Sequence, residues 1–165
     1  IQGTVISAVD LIKGIGLCAG MRSVDVEGAT GNVHTNYDGK AQAAITAFKE
    51  GADLVYIHVE GPDECGHRAE TDNKVLSVEL IDQKILAPVY EYLKNTSEDF
   101  KILVLPDHPT PICKRTHTID PVPFFIYSSE WDDKKGCKTF DEQTARDMGY
   151  SVPNGYTLMN LLTEK

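Results

Sequence analysis

Apolar residues follow two different patterns along the 165-residue chain. Between short continuous apolar runs, they recur at spacings of three and four, which marks one face of a helix. Strands that alternate with helices predict an α/β fold, with a three-layer α/β/α arrangement and a largely parallel central sheet. The four runs predicted to be strands are rich in β-branched residues: Thr4 to Val9, Leu54 to Val59, Ile102 to Leu105 and Val122 to Tyr127.

The helical pattern carries its own stop signals. Gly51 is placed to end the second predicted helix, because glycine favours C-terminal caps. Pro88 falls inside the third and predicts a kink or the end of its regular part, since proline removes a backbone donor. Ser128 to Lys138 is predicted to be a solvated connector. The predicted helices cover Leu11 to Gly20, Ala41 to Phe48, Val75 to Val89, Asp141 to Met148 and Tyr156 to Leu162.

Composition excludes some classes of function. No apolar run approaches the roughly 20 residues of a membrane span. The net charge of −9 argues against a general nucleic-acid binder, which needs a basic face. Four cysteines without a C-x-x-C spacing predict free thiols in a reducing cytoplasm. An acidic chain that binds an anion would need local cations or a metal ion.

Asp63 and His67 are the first candidate site residues, just after the second run in HVEGPDECGHRAE. Four residues apart, the two side chains can converge on one ion. An Asp oxygen with a His nitrogen suits Zn²⁺, Mn²⁺ or Fe²⁺. Pro62 and Gly66 predict a loop that enters a helical turn rather than a regular helix. Taken alone, the pair is more typical of a solvated acidic loop.

A second group of ligand-type residues changes that interpretation. Asp107 and His108 follow the third run in the proline-stiffened segment PDHPTP, and His117 lies in the segment RTHT that follows. Sites in parallel α/β sheets lie beyond the carboxyl ends of strands. Two Asp and three His are too many for one closed structural site. They predict two neighbouring ions, as in two-metal phosphatases and related enzymes.

The other polar residues of this region are assigned supporting roles. His58 is expected to lie at the end of its strand as a core histidine or one that supports the site. Glu60, Glu64 and Glu70 are expected either to support the site or to be solvated, and His34 is expected to be exposed in a connector.

Five segments together resemble the cofactor-independent phosphoglycerate mutases, in the shorter form common in archaea and found in many bacteria. They are AVDLIKGIGLCAGM, HVEGPDECGHRAE, LPDHPTP, RTHTIDPVPFFIY and FDEQTAR, and the resemblance runs from about Val5 to Leu162. It implies an alkaline-phosphatase-like fold. It also implies an isomerase that interconverts 3- and 2-phosphoglycerate in glycolysis and gluconeogenesis through a phosphoserine intermediate.

The resemblance assigns metal ligands residue by residue. Asp63, His67 and His117 match the protein ligands of one ion, and Asp107 and His108 match ligands of a second. The implied cofactors are two divalent ions, Mn²⁺ first, with Mg²⁺, Co²⁺ or Zn²⁺ as alternatives. Such ions activate a serine nucleophile and neutralise the oxygens of a transferring phosphoryl group. The implied partner is a small phosphorylated substrate, with no nucleic acid and no membrane.

Two cationic residues are weaker catalytic candidates. Lys13 follows the first strand, where it could reach a phosphoryl group, or it could be a surface lysine. Arg115 could hold a phosphate or carboxylate with two parallel hydrogen bonds, or it could pair with a nearby carboxylate.

The sequence also departs from the family pattern. The family's nucleophilic serine, a further aspartate ligand and an inserted domain with substrate-binding arginines match nothing in this sequence. Residues 1–165 are therefore expected to be the C-terminal part of the phosphatase-like metal-binding domain, truncated and inactive alone. Its ions are expected to be absent or partly bound, and exposed sheet edges would favour self-association.

Two alternative functions stay open. A homoserine kinase-like enzyme or another phosphotransferase of the superfamily would use the same two-metal core with a different inserted domain. A non-catalytic binding or regulatory module would keep the fold and lose the chemistry. Retention of all five ligand-type residues counts against the second alternative.

Overall fold

The structure is a computed structural model that describes residues 1–131 and 136–164. Residues 132–135, within the predicted connector Ser128 to Lys138, lie outside the described residues. The chain divides into two units. Unit 1 comprises Ile1–Thr96 and Thr110–His117, and unit 2 comprises Ser97–Pro109 and Thr118–Lys165.

Unit 1, all of whose residues are described, is built on a parallel sheet with the strand order β2-β1-β3. The prediction of an α/β fold with a parallel sheet is confirmed. The strands are β1 (Gly3–Ile6), β2 (Arg22–Val24) and β3 (Leu54–Ile57), and the helices are α1 (Asp10–Cys18), α2 (Tyr37–Lys49), α3 (Gly61–Arg68), α4 (Thr71–Ile81) and α5 (Ala87–Lys94). A π-helical turn, Asp82–Leu86, joins α4 to α5.

Helices cover both faces of this sheet. Successive residues of a strand point to opposite faces, and β1 shows this with two fully buried neighbours. Val5 lies against Gly16 of α1, whereas Ile6 packs with Ala41 and Ala44 of α2. Unit 1 is therefore a helix–sheet–helix sandwich, and β1 is apolar on both faces because both are covered.

Strand β2 is the element that the apolar pattern missed. It has three residues, and it begins with Arg22 and Ser23, so it shows neither an apolar run nor an alternation. Its pairing with β1, in the register Val5 to Ser23, defines it instead. The predicted strands also end earlier than expected, since β1 stops at Ile6 and β3 at Ile57.

The expectation of a loop across Pro62 and Gly66 is wrong, because both residues lie within helix α3. Pro62 is in the first turn, where a missing backbone N–H costs nothing. Gly66 is tolerated because it lies against other segments. A Cβ at this position would collide with the carbonyl oxygen of Thr110 and lie 2.9 Å from the Lys74 ammonium.

The irregularity associated with Pro88 lies on its N-terminal side, before the proline itself. The regular part of the predicted helix ends at Ile81 and is followed by the π turn, in which Ala87 N–H donates to the Asp82 carbonyl. The proline ring would clash with the carbonyl four residues before it. The wider π turn relieves that clash, and regular helix resumes at Ala87, with Pro88 in its first turn.

A buried lysine joins α2 to the end of β3. Lys40 is 1% exposed, and its ammonium donates to the carbonyl of His58 at 2.9 Å. Burial lowers the pKa of Lys40 from 10.5 to about 8, against an opposing effect of Glu60. The His58 ring lies 3.2 Å from the hydroxyl of buried Ser7, at the end of β1. His58 therefore lies just past the end of β3, with its ring beside Ser7 and its carbonyl bound by Lys40.

Unit 2 contains β4 (Lys101–Val104) and β5 (Phe125–Ser128), which pair antiparallel with Val104 opposite Phe125. The apolar runs located both strands, but this pair is antiparallel and does not share the parallel arrangement expected of the sheet. Helix α6 (Glu142–Met148) begins where predicted, because Asp141 caps it by accepting from the Thr144 N–H at 2.8 Å. A short 3₁₀ turn, Gly155–Thr157, leads into α7 (Leu158–Thr163).

Two predictions from composition can be compared with the structure. Cys18, Cys65, Cys113 and Cys137 are all free thiols, and Cys65 is buried. Within residues 1–131 and 136–164, no helix is both long enough and apolar enough to cross a membrane.

The close approach of α3 at Gly66 can be tested by adding one methyl group. Gly66→Ala should lower the free energy of unfolding by about 1–3 kcal/mol, because the new Cβ meets a backbone oxygen that cannot move cheaply. Gly14→Ala in α1 is the matched control. Nothing lies within 4 Å of a Cβ there, so alanine should stabilise the helix by about 0.5–1 kcal/mol. Denaturant unfolding measures both, and equal shifts would contradict the close approach.

Burial of Lys40 predicts a rise in stability at alkaline pH. Below about pH 8 the residue is charged in the folded and unfolded chain, and above 10.5 it is neutral in both. Between these values the unfolded chain binds more protons. The free energy of unfolding should therefore rise with pH by on the order of 3 kcal/mol. Lys40→Met should lack this component, and parallel pH profiles for the two proteins would count against the buried ammonium.

Candidate metal centre

Helix α3 presents Asp63 and His67 one turn apart on one face. The Nε2 atom of His67 lies 3.3 Å from Oδ2 of Asp63. The second segment of unit 1 brings His117 to the same place, with its Nε2 3.2 Å from Oδ1 of Asp63 and 3.1 Å from Nε2 of His67. The structure therefore brings three of the five predicted ligands together, from positions about 50 residues apart.

The protein backbone orients the His67 ring. Nδ1 of His67 lies 3.0 Å from the carbonyl oxygen of Arg115. A carbonyl oxygen can only accept, so Nδ1 carries the hydrogen and the neutral ring keeps a lone pair on Nε2. That is the tautomer in which Nε2 can bind a metal ion, and a backbone carbonyl is a common partner for a metal-binding histidine.

A short turn positions the Arg115 carbonyl for its contact with His67. The N–H groups of Lys114 and Arg115 both donate to the carbonyl of Pro111 at 2.9 Å. Arg115 then takes a left-handed backbone conformation, with φ of 55°, which is uncommon for a residue with a side chain. The left-handed conformation ends the turn and leads into Thr116 and His117.

The three side chains fit a divalent cation in both chemistry and spacing. Two ligands about 2.1 Å from one ion at a tetrahedral angle lie about 3.4 Å apart. The observed separations of 3.1–3.3 Å among Asp63, His67 and His117 are close to that value. One carboxylate and two imidazoles suit Zn²⁺, Mn²⁺ or Fe²⁺, and a three-residue set leaves positions open for a substrate.

Thr110 contacts the candidate site, and the sequence analysis did not single it out. Its hydroxyl donates to Oδ1 of Asp63, and its carbonyl accepts from the Lys74 ammonium at 2.8 Å. The side chain is buried, with 4% exposed. Its place in PDHPTP, two residues beyond His108, was the available signal.

Asp107 and His108 lie in unit 2, three and four residues after the end of β4. The His108 N–H donates to Oδ1 of Asp107 at 3.0 Å, and Nε2 of His108 lies 3.3 Å from Oδ2 of Asp107. The two side chains therefore converge on one another, with 60% of the Asp107 side chain exposed. The pair offers an imidazole nitrogen and a carboxylate oxygen at the end of a strand.

Lys13 lies in the first turn of α1, where its ammonium is 2.7 Å from Asp25 and 3.8 Å from Asp10. The hydrogen bond to Asp25 raises the pKa of Lys13 above its usual value, so the side chain stays charged. The side chain of Arg115 is exposed, and its backbone carbonyl makes the contact with His67.

The glutamates near the site pair with one arginine. Arg68 contacts Glu64 and Glu70, each at 2.7 Å. The hydrogen bond from Arg68 lowers the pKa of Glu70, and Asn73 adds to this effect. Both carboxylates therefore balance Arg68 rather than join the Asp63 cluster. Glu60 is the residue immediately before α3.

Comparison with known proteins agrees with this site chemistry. A sequence model of the Metalloenzyme superfamily matches residues 1–165. The chain is 48% identical over 98% of its length to a 2,3-bisphosphoglycerate-independent phosphoglycerate mutase of Methanosarcina mazei, covering 40% of that protein. It is 43% identical over its whole length to a probable enzyme of the same name from Geobacter sulfurreducens, covering 41% of it.

A solved structure shares the fold. The structure of PH0037 protein from Pyrococcus horikoshii matches 99% of this chain with a TM-score of 0.83 and 27% identity, and the match covers 48% of that protein. The chain thus spans about two fifths of the length of the curated relatives named above. The resemblance inferred from its motifs is confirmed, and the chain belongs to the Metalloenzyme superfamily.

Proposed function

We propose that this chain forms the metal-binding part of a phosphoglycerate mutase that interconverts 3- and 2-phosphoglycerate. The cluster of Asp63, His67 and His117 carries the proposal, because the ring of His67 is already turned to offer Nε2. The names of relatives that are 43–48% identical support the choice of substrate. A glycolytic enzyme of this kind would act in the cytoplasm.

The candidate ligands divide into two groups, one for each proposed ion. Asp63, His67 and His117 would hold one divalent ion, and Asp107 with His108 would hold a second, with Mn²⁺ the first candidate for both. The Thr110 hydroxyl fixes the Asp63 carboxylate by donating to Oδ1. Two bound ions would supply charge that lowers the pKa of an attacking hydroxyl and neutralises phosphoryl oxygens.

Substrate binding needs cations in a chain whose net charge is −9. The metal ions would attract the phosphate locally, so a basic surface is not required. Lys13 is the side chain we propose for the phosphoryl group, since its ammonium is charged and lies near the carboxyl end of β1. It would exchange Asp25 for the substrate. Arg115 is exposed and is a second candidate for an anionic group.

The proposed reaction would need a nucleophile from outside the 165 residues. In the family that the motifs resemble, a serine receives the phosphoryl group and returns it to the other hydroxyl of glycerate. No serine of this chain matches that motif. The longer protein would have to supply the serine, a further aspartate and the arginines that bind the glycerate carboxylate.

Calorimetric titration with Mn²⁺ tests the metal ligands. We expect the 165-residue chain to bind weakly, with one ion at partial occupancy, because only the first site has all three of its protein ligands. His117→Ala should abolish this binding. His34→Ala, which changes an exposed histidine in a loop, should leave it unchanged. Nanomolar binding of two ions, or equal binding by the two variants, would contradict the assignment.

Enzyme assays test the reaction itself. A longer protein that contains this chain should convert 3-phosphoglycerate to 2-phosphoglycerate with added Mn²⁺, and His67→Ala should lower the rate at least about 100-fold. The 165-residue chain alone should show no turnover. Turnover by the short chain would mean that the nucleophile is within it. Phosphorylation of homoserine by the longer protein would identify the kinase-like alternative.

A further inference from the structure

Helix α3 carries two of the three clustered ligands, so its position sets the geometry of the cluster. Asp63 and His67 both lie on it, whereas His117 comes from a separate segment of unit 1. The ligand atoms are 3.1–3.3 Å apart, and displacement of α3 by 1 Å would separate them from His117. Whatever fixes the start of α3 therefore fixes the cluster.

Two buried polar side chains on one face of α2 contact residues that adjoin the start of α3. Tyr37 and Lys40 lie one turn apart on α2, with 5% and 1% exposed. The Tyr37 hydroxyl is 2.9 Å from Oγ of Ser77, and the Lys40 ammonium is 2.9 Å from the carbonyl oxygen of His58. His58 lies three residues before Gly61, the first residue of α3.

Ser77, the hydrogen-bond partner of Tyr37, also lies against Gly61, the first residue of α3. Ser77 is fully buried, and a Cβ built on Gly61 would lie 2.6 Å from its Oγ. The hydroxyl therefore occupies the space that a side chain at residue 61 would need. The same Cβ would lie 3.4 Å from the carbonyl oxygen of Asn32, so the first residue of α3 is enclosed on two sides.

Core packing alone does not explain a lysine at residue 40. Burying an ammonium costs free energy, and an apolar residue of similar size would fill the space without that cost. In exchange, Lys40 interacts electrostatically with Glu60 and makes a directional contact to a backbone carbonyl at the exit of β3. That contact restrains the chain between the sheet and α3, which a methionine could not do.

We propose that Tyr37 and Lys40 are positioning residues that fix the start of α3 and thereby hold Asp63 and His67 in register with His117. Neither residue touches the cluster, so they would act only through α3. The inference rests on the proposed metal site for its functional consequence. Its structural part, control of α3 by α2, is independent of any metal.

Hydrogen exchange in the metal-free chain tests the structural part. The N–H groups of Asp63 and Glu64 donate to the Glu60 carbonyl in the first turn of α3. Lys40→Met should accelerate their exchange roughly 10- to 100-fold, and Tyr37→Phe about 3- to 10-fold, on the usual strengths of charged and neutral hydrogen bonds. Lys49→Met is the matched control, an exposed lysine near the end of the same helix.

The exchange pattern separates positioning from general support. Amides of β1 should exchange at unchanged rates in Tyr37→Phe and Lys40→Met. Equal acceleration in α3 and β1 would overturn the proposal, because the two residues would then support unit 1 as a whole. Unchanged exchange at Asp63 and Glu64 would overturn it as well. Tyr37→Phe removes a single hydroxyl and keeps the test available if Lys40→Met does not fold.

Titration with Co²⁺, followed by its visible absorption bands, tests the consequence for the metal site. Affinity should fall about 10- to 100-fold in Lys40→Met and stay constant in Lys49→Met. Equal affinities in both variants would overturn the link between α2 and the ligands. Because the 165-residue chain is expected to bind weakly, the titration is carried to a large excess of Co²⁺. Failure of the unsubstituted chain to develop Co²⁺ bands even then would refute the proposed metal site, and the exchange rates alone would decide whether α2 controls α3.

Discussion

The cluster depends on how closely helix α3 can approach the Thr110–His117 segment. The ligand atoms belong to parts of the chain about 50 residues apart, yet they lie within 3.3 Å of one another. Gly66 makes this distance accessible, since a side chain there would occupy the position of the Thr110 carbonyl. The same approach lets the Thr110 hydroxyl reach Asp63 and the Arg115 carbonyl reach His67. These contacts orient the side chains of Asp63 and His67, two of the three candidate ligands.

The polar groups around α3 are satisfied by partners that leave the ligand atoms facing one another. Arg68 takes up the two nearby glutamates, Glu64 and Glu70, so these carboxylates are kept out of the cluster. Nδ1 of His67 donates its hydrogen to the backbone carbonyl of Arg115, which leaves Nε2 as an acceptor. The pairing of Glu64 and Glu70 with Arg68 matters in an acidic chain, because an uncompensated carboxylate beside Asp63 would compete for the same cation.

The sequence predicted the parts of the fold that express a local pattern. The runs at Thr4 and Leu54 located β1 and β3, because both faces of these strands are covered and their residues are apolar throughout. It did not predict β2, whose three residues are held by pairing with β1 and carry no pattern of their own. Among the candidate site residues, D-x-x-x-H singled out Asp63 and His67 by chemistry, and the structure places both beside His117. Thr110 and Lys40 escaped notice because their roles depend on contacts 47 and 18 residues away.

The error over α3 has a physical explanation that bears on the site. Proline and glycine lower helix propensity by about 3 and 1 kcal/mol in a helix interior, so a local rule argues against a helix across both. Pro62 escapes its cost by lying in the first turn, and Gly66 is offset by the close packing that its missing side chain allows. The segment therefore breaks a local preference at the point where tertiary contacts assemble the ligands. Such violations are expected at functional sites, and here the glycine that weakens the helix is the residue that lets it carry the ligands close to Thr110 and Arg115.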